Sequence, residues 1–242
     1  MRVSRLYVAA VLTVGKYIEL DEAAGHYVRS VLRLKPADGL VLFNGAGGDY
    51  LCQLAEVSRK TVRVEIEEFL DRDVESRLNV SLGIGISRGD RMDWAVQKAV
   101  ELGVNQLTPL VTERCVIKFS DDKKQQRLLH WQNIILHAAE QSGRTRLPQL
   151  CEIAALPAWT NLQQDLRVFL DPHAEQSLRD LPANTRQITL LSGPEGGFSA
   201  QEREIAKAAG FIPVRMGARI LRTETAVLAA LAAVQTLWGD FD

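Results

Sequence analysis

The spacing of apolar residues changes period near residue 72, and no other feature restricts the fold of this 242-residue chain as much. Before that point apolar and polar residues alternate, over 50–57 and again over 61–69, as in half-buried strands. Asn44-Gly45-Ala46-Gly47-Gly48-Asp49 forms a turn ahead of the first run. One helix, over 21–32, interrupts the strands. About 70 residues of this kind fit a small β-barrel. The charge-rich stretch 70–77 then reads as a linker.

After the linker the rhythm becomes strand, helix, strand. Strands are predicted over 80–86, 105–111, 166–171, 187–192 and 212–216, and helices over 91–102, 123–141, 199–209 and 223–237. Met92, Ala95, Val96, Ala99 and Val100 form one stripe of the first helix, and Leu128, Trp131, Ile135 and Ala138 one stripe of the second. Such alternation builds βαβ units on a mostly parallel sheet. The fold class is α/β, with an all-β domain over 1–72 and a larger α/β domain over 73–242.

Composition removes several function classes. The chain is 46% hydrophobic and 24% charged, enough to bury a core and incompatible with disorder. With 29 basic against 30 acidic residues, it has no bulk attraction for nucleic acid or membrane, so such a partner needs a local surface. Residues 86–146 supply one candidate, with ten basic against seven acidic residues. Arg2, Arg5, Arg29, Arg33 and Lys35 cluster near the N-terminus. Cys52, Cys115 and Cys151 form no Cys-x-x-Cys pair, which fits a reducing compartment and neither a zinc knuckle nor a disulfide scaffold. His130 and His137 could share a helix face, but no carboxylate or thiol joins them at ligand spacing, so no metal is expected. The longest apolar run, 226–234, is too short for a bilayer, and the first residues lack a signal peptide; a cytoplasmic protein is expected.

Three loops could carry chemistry. Gly83-Ile84-Gly85-Ile86-Ser87-Arg88-Gly89 has the wrong glycine spacing for a dinucleotide fingerprint and fits close helix packing better. Arg88 and Arg91 nevertheless stand at the carboxyl end of a strand, where parallel sheets meet ligands. Ser192-Gly193-Pro194-Glu195-Gly196-Gly197-Phe198-Ser199 leaves a strand and opens a helix, with Ser199 and Glu202 as a capping box. Its glycines let a ligand lie on bare backbone, while Glu195 and the missing Lys argue against a phosphate. In Met216-Gly217-Ala218-Arg219-Ile220-Leu221-Arg222-Thr223-Glu224, apolar Ile220 and Leu221 sit in a connection that should be polar. A flat apolar ligand or core packing would cover them, and Thr223 is a plausible helix N-cap.

Together, Ser87-Arg88-Gly89-Asp90-Arg91-Met92, Glu101-Leu102-Gly103, Glu113-Arg114-Cys115, Ala139-Glu140-Gln141-Ser142-Gly143-Arg144, Gly193-Pro194-Glu195-Gly196-Gly197 and Leu221-Arg222-Thr223-Glu224-Thr225-Ala226 closely resemble one family. It is the bacterial 16S ribosomal RNA uridine-N3 methyltransferases of the SPOUT superfamily. His26-Tyr27-Val28-Arg29 also resembles that family's N-terminal part, so the likeness spans essentially the whole chain. The resemblance implies a PUA-like RNA-binding β-barrel followed by a methyltransferase domain with a deep trefoil knot, assembled as a homodimer. It implies S-adenosylmethionine held by Leu170, Ser192, Gly193, Gly197, Met216, Gly217, Ile220 and Leu221.

Methylation of uridine N3 needs a group to accept the imide proton or stabilise the uracil oxyanion. Arg222, Glu195 and Glu224 are the catalytic candidates. Arg2, Arg5, Arg29, Arg33, Arg88, Arg91, Glu140, Gln141 and Arg144 are the RNA-positioning candidates, the expected partner being 16S RNA within the small ribosomal subunit. A knotted methyltransferase acting on transfer RNA would share the cofactor loops and differ in the N-terminal barrel. A non-enzymatic RNA-binding factor would need no complete glycine loop.

Overall fold

The computed structural model describes residues 4–115, 121–163, 166–182 and 185–241. The chain forms two compact units, Met1–Glu75 with Ala139–Leu147, and Ser76–Ala138 with Pro148–Asp242.

The first unit is a five-stranded sheet of β1 (Arg5–Tyr7), β2 (Tyr17–Glu19), β3 (Gly39–Phe43), β4 (Asp49–Val57) and β5 (Val62–Leu70), ordered β1-β3-β4-β5-β2. β1 runs parallel to β3 and the other pairs are antiparallel. The period-2 pattern is realised: Leu40 and Leu42 on β3 and Val62, Val64 and Ile66 on β5 are buried in one core with Val28. The predicted single helix over 21–32 is divided. A short α1 (Glu22–His26) is capped by Asp21, whose carboxylate accepts from Ala24 N at 2.8 Å. The chain then winds as a π-helix over Tyr27–Leu32 and stops at Arg33 in the left-handed region. This wider winding buries Val28 completely and leaves Val31 exposed.

Residues 139–147 complete this unit through charge. Arg5 pairs with Asp49 at 2.8 Å, donates to the carbonyls of Ala139 and Arg144 at 2.9 and 2.7 Å, and lies 3.6 Å from the Phe43 ring centroid. Arg144 meets Glu75 at 2.6 Å, both side chains being about 90% or more buried (6% and 10% exposed). Glu140 accepts from Tyr7 N at 2.9 Å.

The second unit carries β6 (Asn79–Gly85), α2 (Asp90–Glu101), β7 (Gln106–Val111), α3 (Asp121–Ser142, to Ala138), β8 (Gln149–Leu150), β9 (Ala154–Ala155), α4 (Leu156–Thr160), β10 (Leu166–Leu170), β11 (Gln187–Ser192), α5 (Ala200–Ala208), β12 (Ile212–Val214) and α6 (Thr223–Trp238). The sheet order is β12-β10-β11-β6-β7-β8, with β9 also on β7, and every pairing is parallel. β11 and β6 are central and buried almost throughout, which explains their near-continuous apolar sequences. Both predicted helix stripes are buried. On α6, buried Gln235 donates to the Leu102 carbonyl at 3.0 Å and accepts from Ser76 Oγ at 2.7 Å, tying that helix to the end of α2. After β6 the chain builds outward through β7, then returns to lay β10, β11 and β12 on the other side, with β11 taking the place between β10 and β6. The order therefore switches between β6 and β11, where parallel sheets open a crevice at the carboxyl ends of their strands.

Candidate active site

A cleft of about 480 Å³ opens at those carboxyl ends. Three successive strand exits line it: Leu170, Asp171, Pro172 and His173 after β10; residues 192–198 after β11; and Val214, Met216, Gly217 and residues 219–223 between β12 and α6. All eight residues expected to hold the cofactor, Leu170, Ser192, Gly193, Gly197, Met216, Gly217, Ile220 and Leu221, face this one space. Of the catalytic candidates, Arg222 and Glu195 line it as well. Glu224 does not; it sits in the first turn of α6 with a buried, unpartnered Oε2. That position suits a carboxylate beside the positive end of the helix dipole rather than one reaching the cleft.

The glycine loop is held from both sides. The capping box forms as expected, with Ser199 N donating to Glu202 Oε2 at 2.9 Å and Glu202 N to Ser199 Oγ at 3.2 Å. The other oxygen of the buried Glu202 accepts from Glu113 N at 2.7 Å, and Arg114 donates to the Gly196 carbonyl at 2.8 Å. The turn leaving β7 thereby braces the loop. Opposite it, Glu195 Oε1 accepts from Arg88 N at 2.9 Å and Arg91 Nη1 at 3.3 Å. Both contacts use Oε1 and leave Oε2 for other work.

Arg222 is the N-cap of α6 by backbone position, displacing Thr223 from the role predicted for it; Thr223 is the first helical residue and is buried. The Arg222 side chain makes no cap hydrogen bond, is exposed, and stands in the cleft without an ion pair among the described residues.

The RNA-positioning candidates separate. Arg91 lines the cleft, Arg88 is exposed beside it, and Arg33 and Gln141 are exposed. Arg29 is half-buried. Arg5 and Arg144 are spent on partners inside the first unit, and Glu140 is hydrogen-bonded to a β1 amide. Their burial corrects the expectation that they meet phosphate: a guanidinium enclosed by its own carboxylate and carbonyls would have to leave them first. Arg2 lies outside the described residues.

Sequence reasoning missed Asp171, His173, Arg114, Arg203 and Arg219. Asp171 is 7% exposed, accepts from His173 N at 3.0 Å and pairs with Arg203 at 3.6 Å. Its place directly after a strand end was the available signal.

The cleft fits S-adenosylmethionine on its own features. Nothing lies within 4 Å of where a Cβ would stand on Gly197 or Gly217, both at positive φ, so backbone borders open space there. Ile220 is 82% exposed beside Met216 and Leu221, leaving apolar surface for a flat ring to cover. Glu195 and Asp171 supply negative charge for a sulfonium and an ammonium group.

Comparison with known proteins agrees. The chain matches the RNA methyltransferase domain family over residues 74–235 and the RNA methyltransferase PUA domain family over 20–67. Fold and cleft therefore define an RNA methyltransferase with an N-terminal PUA-like domain. It is 34% identical over 241 residues to ribosomal RNA small subunit methyltransferase E of Buchnera aphidicola subsp. Schizaphis graminum, covering 99% of this chain and 98% of that protein. A methyltransferase of Legionella pneumophila solved in complex with its cofactor SAM superposes with a TM-score of 0.97 at 37% identity over the full length of both chains. Ribosomal RNA small subunit methyltransferase E of Neisseria gonorrhoeae, bound to S-adenosyl methionine, superposes at 0.94 with 37% identity, again over both full lengths. The chain belongs to the ribosomal RNA small subunit methyltransferase E family.

Proposed function

We propose that the protein transfers a methyl group from S-adenosylmethionine to N3 of a specific uridine in 16S ribosomal RNA, in the decoding region of the small subunit. The observation that carries this reading is the convergence of all eight expected cofactor contacts, with Arg222 and Glu195, on one cleft. When bound, S-adenosylmethionine supplies an electrophilic methyl on a sulfonium. Leu170, Met216, Ile220 and Leu221 would hold its apolar part, and Ser192, Gly193, Gly197 and Gly217 would present backbone to its polar part. Fixing both reactants in one space provides much of the acceleration.

The chain's remaining task is the imide proton. Uracil N3 is a poor nucleophile until it loses that proton, and the charge then spreads to the flanking carbonyl oxygens. The exposed guanidinium of Arg222 stabilises them. Glu195 Oε2, not engaged by Arg88 or Arg91, accepts the proton. Arg91, bound to the same carboxylate through Oε1, fixes its orientation. Because N3 lies on the pairing edge, the uridine enters unpaired or turned out of its stack.

The finer architecture follows the same reading. The first unit is a PUA-like barrel that grips RNA through Arg29 and Arg33. The segment from β12 to α6 is threaded as a trefoil knot, which accounts for three strand exits meeting in one cleft. The partly exposed Ala229, Ala232, Ala233 and Leu237 on α6 support a homodimer contact. No helix among the described residues is long and apolar enough to cross a membrane, and the enzyme works on ribosomal subunits in the cytoplasm.

Transfer of labelled methyl to isolated small subunits, naked 16S RNA and bulk transfer RNA, each digested to nucleosides, tests this. Label in 3-methyluridine from the small subunit or its RNA is expected. Label confined to transfer RNA would overturn the substrate, and failure to bind S-adenosylmethionine would overturn the enzyme.

A further inference from the structure

Trp94 is 56% exposed on α2, whereas Trp131 and Trp159 are 1% and 5% exposed. A large aromatic left in water is worth explaining when its surroundings are polar. The other residues of α2 that reach the surface are Asp90, Arg91, Asp93, Gln97, Lys98 and Glu101, none of them apolar. Along α2, Trp94 is therefore a single ring amid polar and charged side chains.

Its position relative to the cleft is fixed. Arg91 lines the cleft, and Trp94 follows it by three residues, one turn along the same helix face. Between them Asp93 is clamped by two residues of α3, His130 at 2.7 Å and the Trp131 indole N–H at 3.1 Å. This clamp sets the rotation of α2 and aims the Trp94 position outward. Arg88 stands exposed just ahead of the helix, and its backbone N–H is on Glu195.

We propose that Trp94 is a stacking platform for the unpaired nucleobase next to the target uridine, with Arg88 taking the intervening phosphate. This rests on the reading of the substrate as a uridine in RNA. A uridine that enters the cleft abandons its neighbour, and the exposed face of that neighbour needs a new partner. An indole one turn from the cleft rim offers it a flat apolar surface that accepts any base. The adjoining guanidinium groups match the negative backbone that the base carries with it. A stack of this kind gives RNA affinity without demanding a particular base, so the platform orders the substrate strand while the cleft selects the uridine.

The test uses Trp94→Leu, Trp94→Phe and Trp94→Ala in the full chain. Wild-type and variant proteins methylate small subunits, with kcat/KM measured for the subunit and KM for S-adenosylmethionine. Leu and Ala are expected to lower kcat/KM for the subunit about tenfold or more, with KM for the cofactor unchanged, and Phe to restore most of it. Independently, a short oligouridylate should protect the indole fluorescence from acrylamide in the wild-type protein and not in Trp94→Phe. Leu acting like wild type, or Phe as poor as Leu, overturns the stacking role. A changed elution mass for Trp94→Ala overturns it in favour of a contact with a second copy. A wild-type protein that methylates no ribosomal substrate instead refutes the functional reading itself.

Discussion

Replacing Gly85 with alanine tests whether the floor of the sheet sets the shape of the cofactor cleft. Gly85 is the last residue of β6, and a Cβ there would stand 2.5 Å from both Cδ and N of Pro194 and 3.0 Å from the Gly193 carbonyl carbon. Ordinary contact begins near 3.5 Å, so strand or glycine loop must give by about 1 Å. Overpacking of this size costs roughly 1–3 kcal/mol. β6 is locked between β11 and β7 by parallel ladders, whereas the loop, although braced by a few hydrogen bonds, has no ladder and gives first. In the free protein the loop shifts and relieves most of the strain. Binding S-adenosylmethionine needs the loop in place, so the strain returns in the complex and is read as lost affinity. A penalty of 1–3 kcal/mol raises Kd about 5- to 150-fold. Calorimetric titration with S-adenosylmethionine measures it, beside thermal melting of the apoprotein. Gly83→Ala is the control. Its Cβ meets the Trp159 ring, 2.7 Å from Cζ2, within an apolar cluster rather than the loop backbone. That strain cannot be relieved by the loop, so Tm falls, by roughly 2–4 °C per kcal/mol for a chain of this size, while Kd stays near wild type. Unchanged Kd in Gly85→Ala would refute the idea that close approach of β6 and the loop shapes the cleft.

Arg222→Ala is expected to remove turnover on small subunits while S-adenosylmethionine still binds by calorimetry, since its guanidinium acts on the developing uracil charge; lost cofactor affinity at an unchanged single-turnover rate would contradict this. Arg144→Ala removes the cation from buried Glu75, which keeps the backbone N–H groups of Thr145 and Arg146, and is expected to cost about 3 kcal/mol in denaturant unfolding of the first unit. The double replacement Arg144→Met with Glu75→Leu should recover much of that loss, because it removes the stranded charge as well. Burial pushes the Cys52 thiol up to about 12, so Cys52 should resist iodoacetamide in the native protein at pH 8 and react on unfolding. With the folded value above the unfolded one, Cys52 favours the native state at neutral pH, and this contribution is lost as pH climbs from about 9 towards 12.

Much of this molecule could be read locally. The helix stripe Met92, Ala95, Val96, Ala99 and Val100 and the alternation of Val62, Val64 and Ile66 each follow from a period of 3.6 or 2, a property of the backbone that needs no tertiary information. The Ser199–Glu202 capping box is equally local, and so is the glycine loop as a place where a ligand meets backbone. The eight cofactor candidates came from resemblance of whole motifs, and the fold brings all of them to one cleft. Other assignments failed because the deciding partner lies far away in sequence. Arg5 and Arg144 look like surface cations until Asp49, Glu75 and the carbonyls of 139–147 close around them. Glu224 and Glu195 both stand beside glycine-rich connections, yet only Glu195 lines the cleft, while Glu224 has its Oε2 buried in the first turn of α6.

The sequence by itself therefore determined the two rhythms, the all-β and α/β parts, the helix faces and the loops able to expose backbone, since each depends on residues within a few positions of one another. Only the tertiary structure decided that residues 139–147 belong with the first unit. Only it decided which residues of the strand exits line the cleft, and which arginines remain exposed to meet a substrate. Those outcomes depend on strand order and on which charges become enclosed together. A parallel sheet whose order switches between β6 and β11 places residues a hundred positions apart side by side, and no local pattern records that.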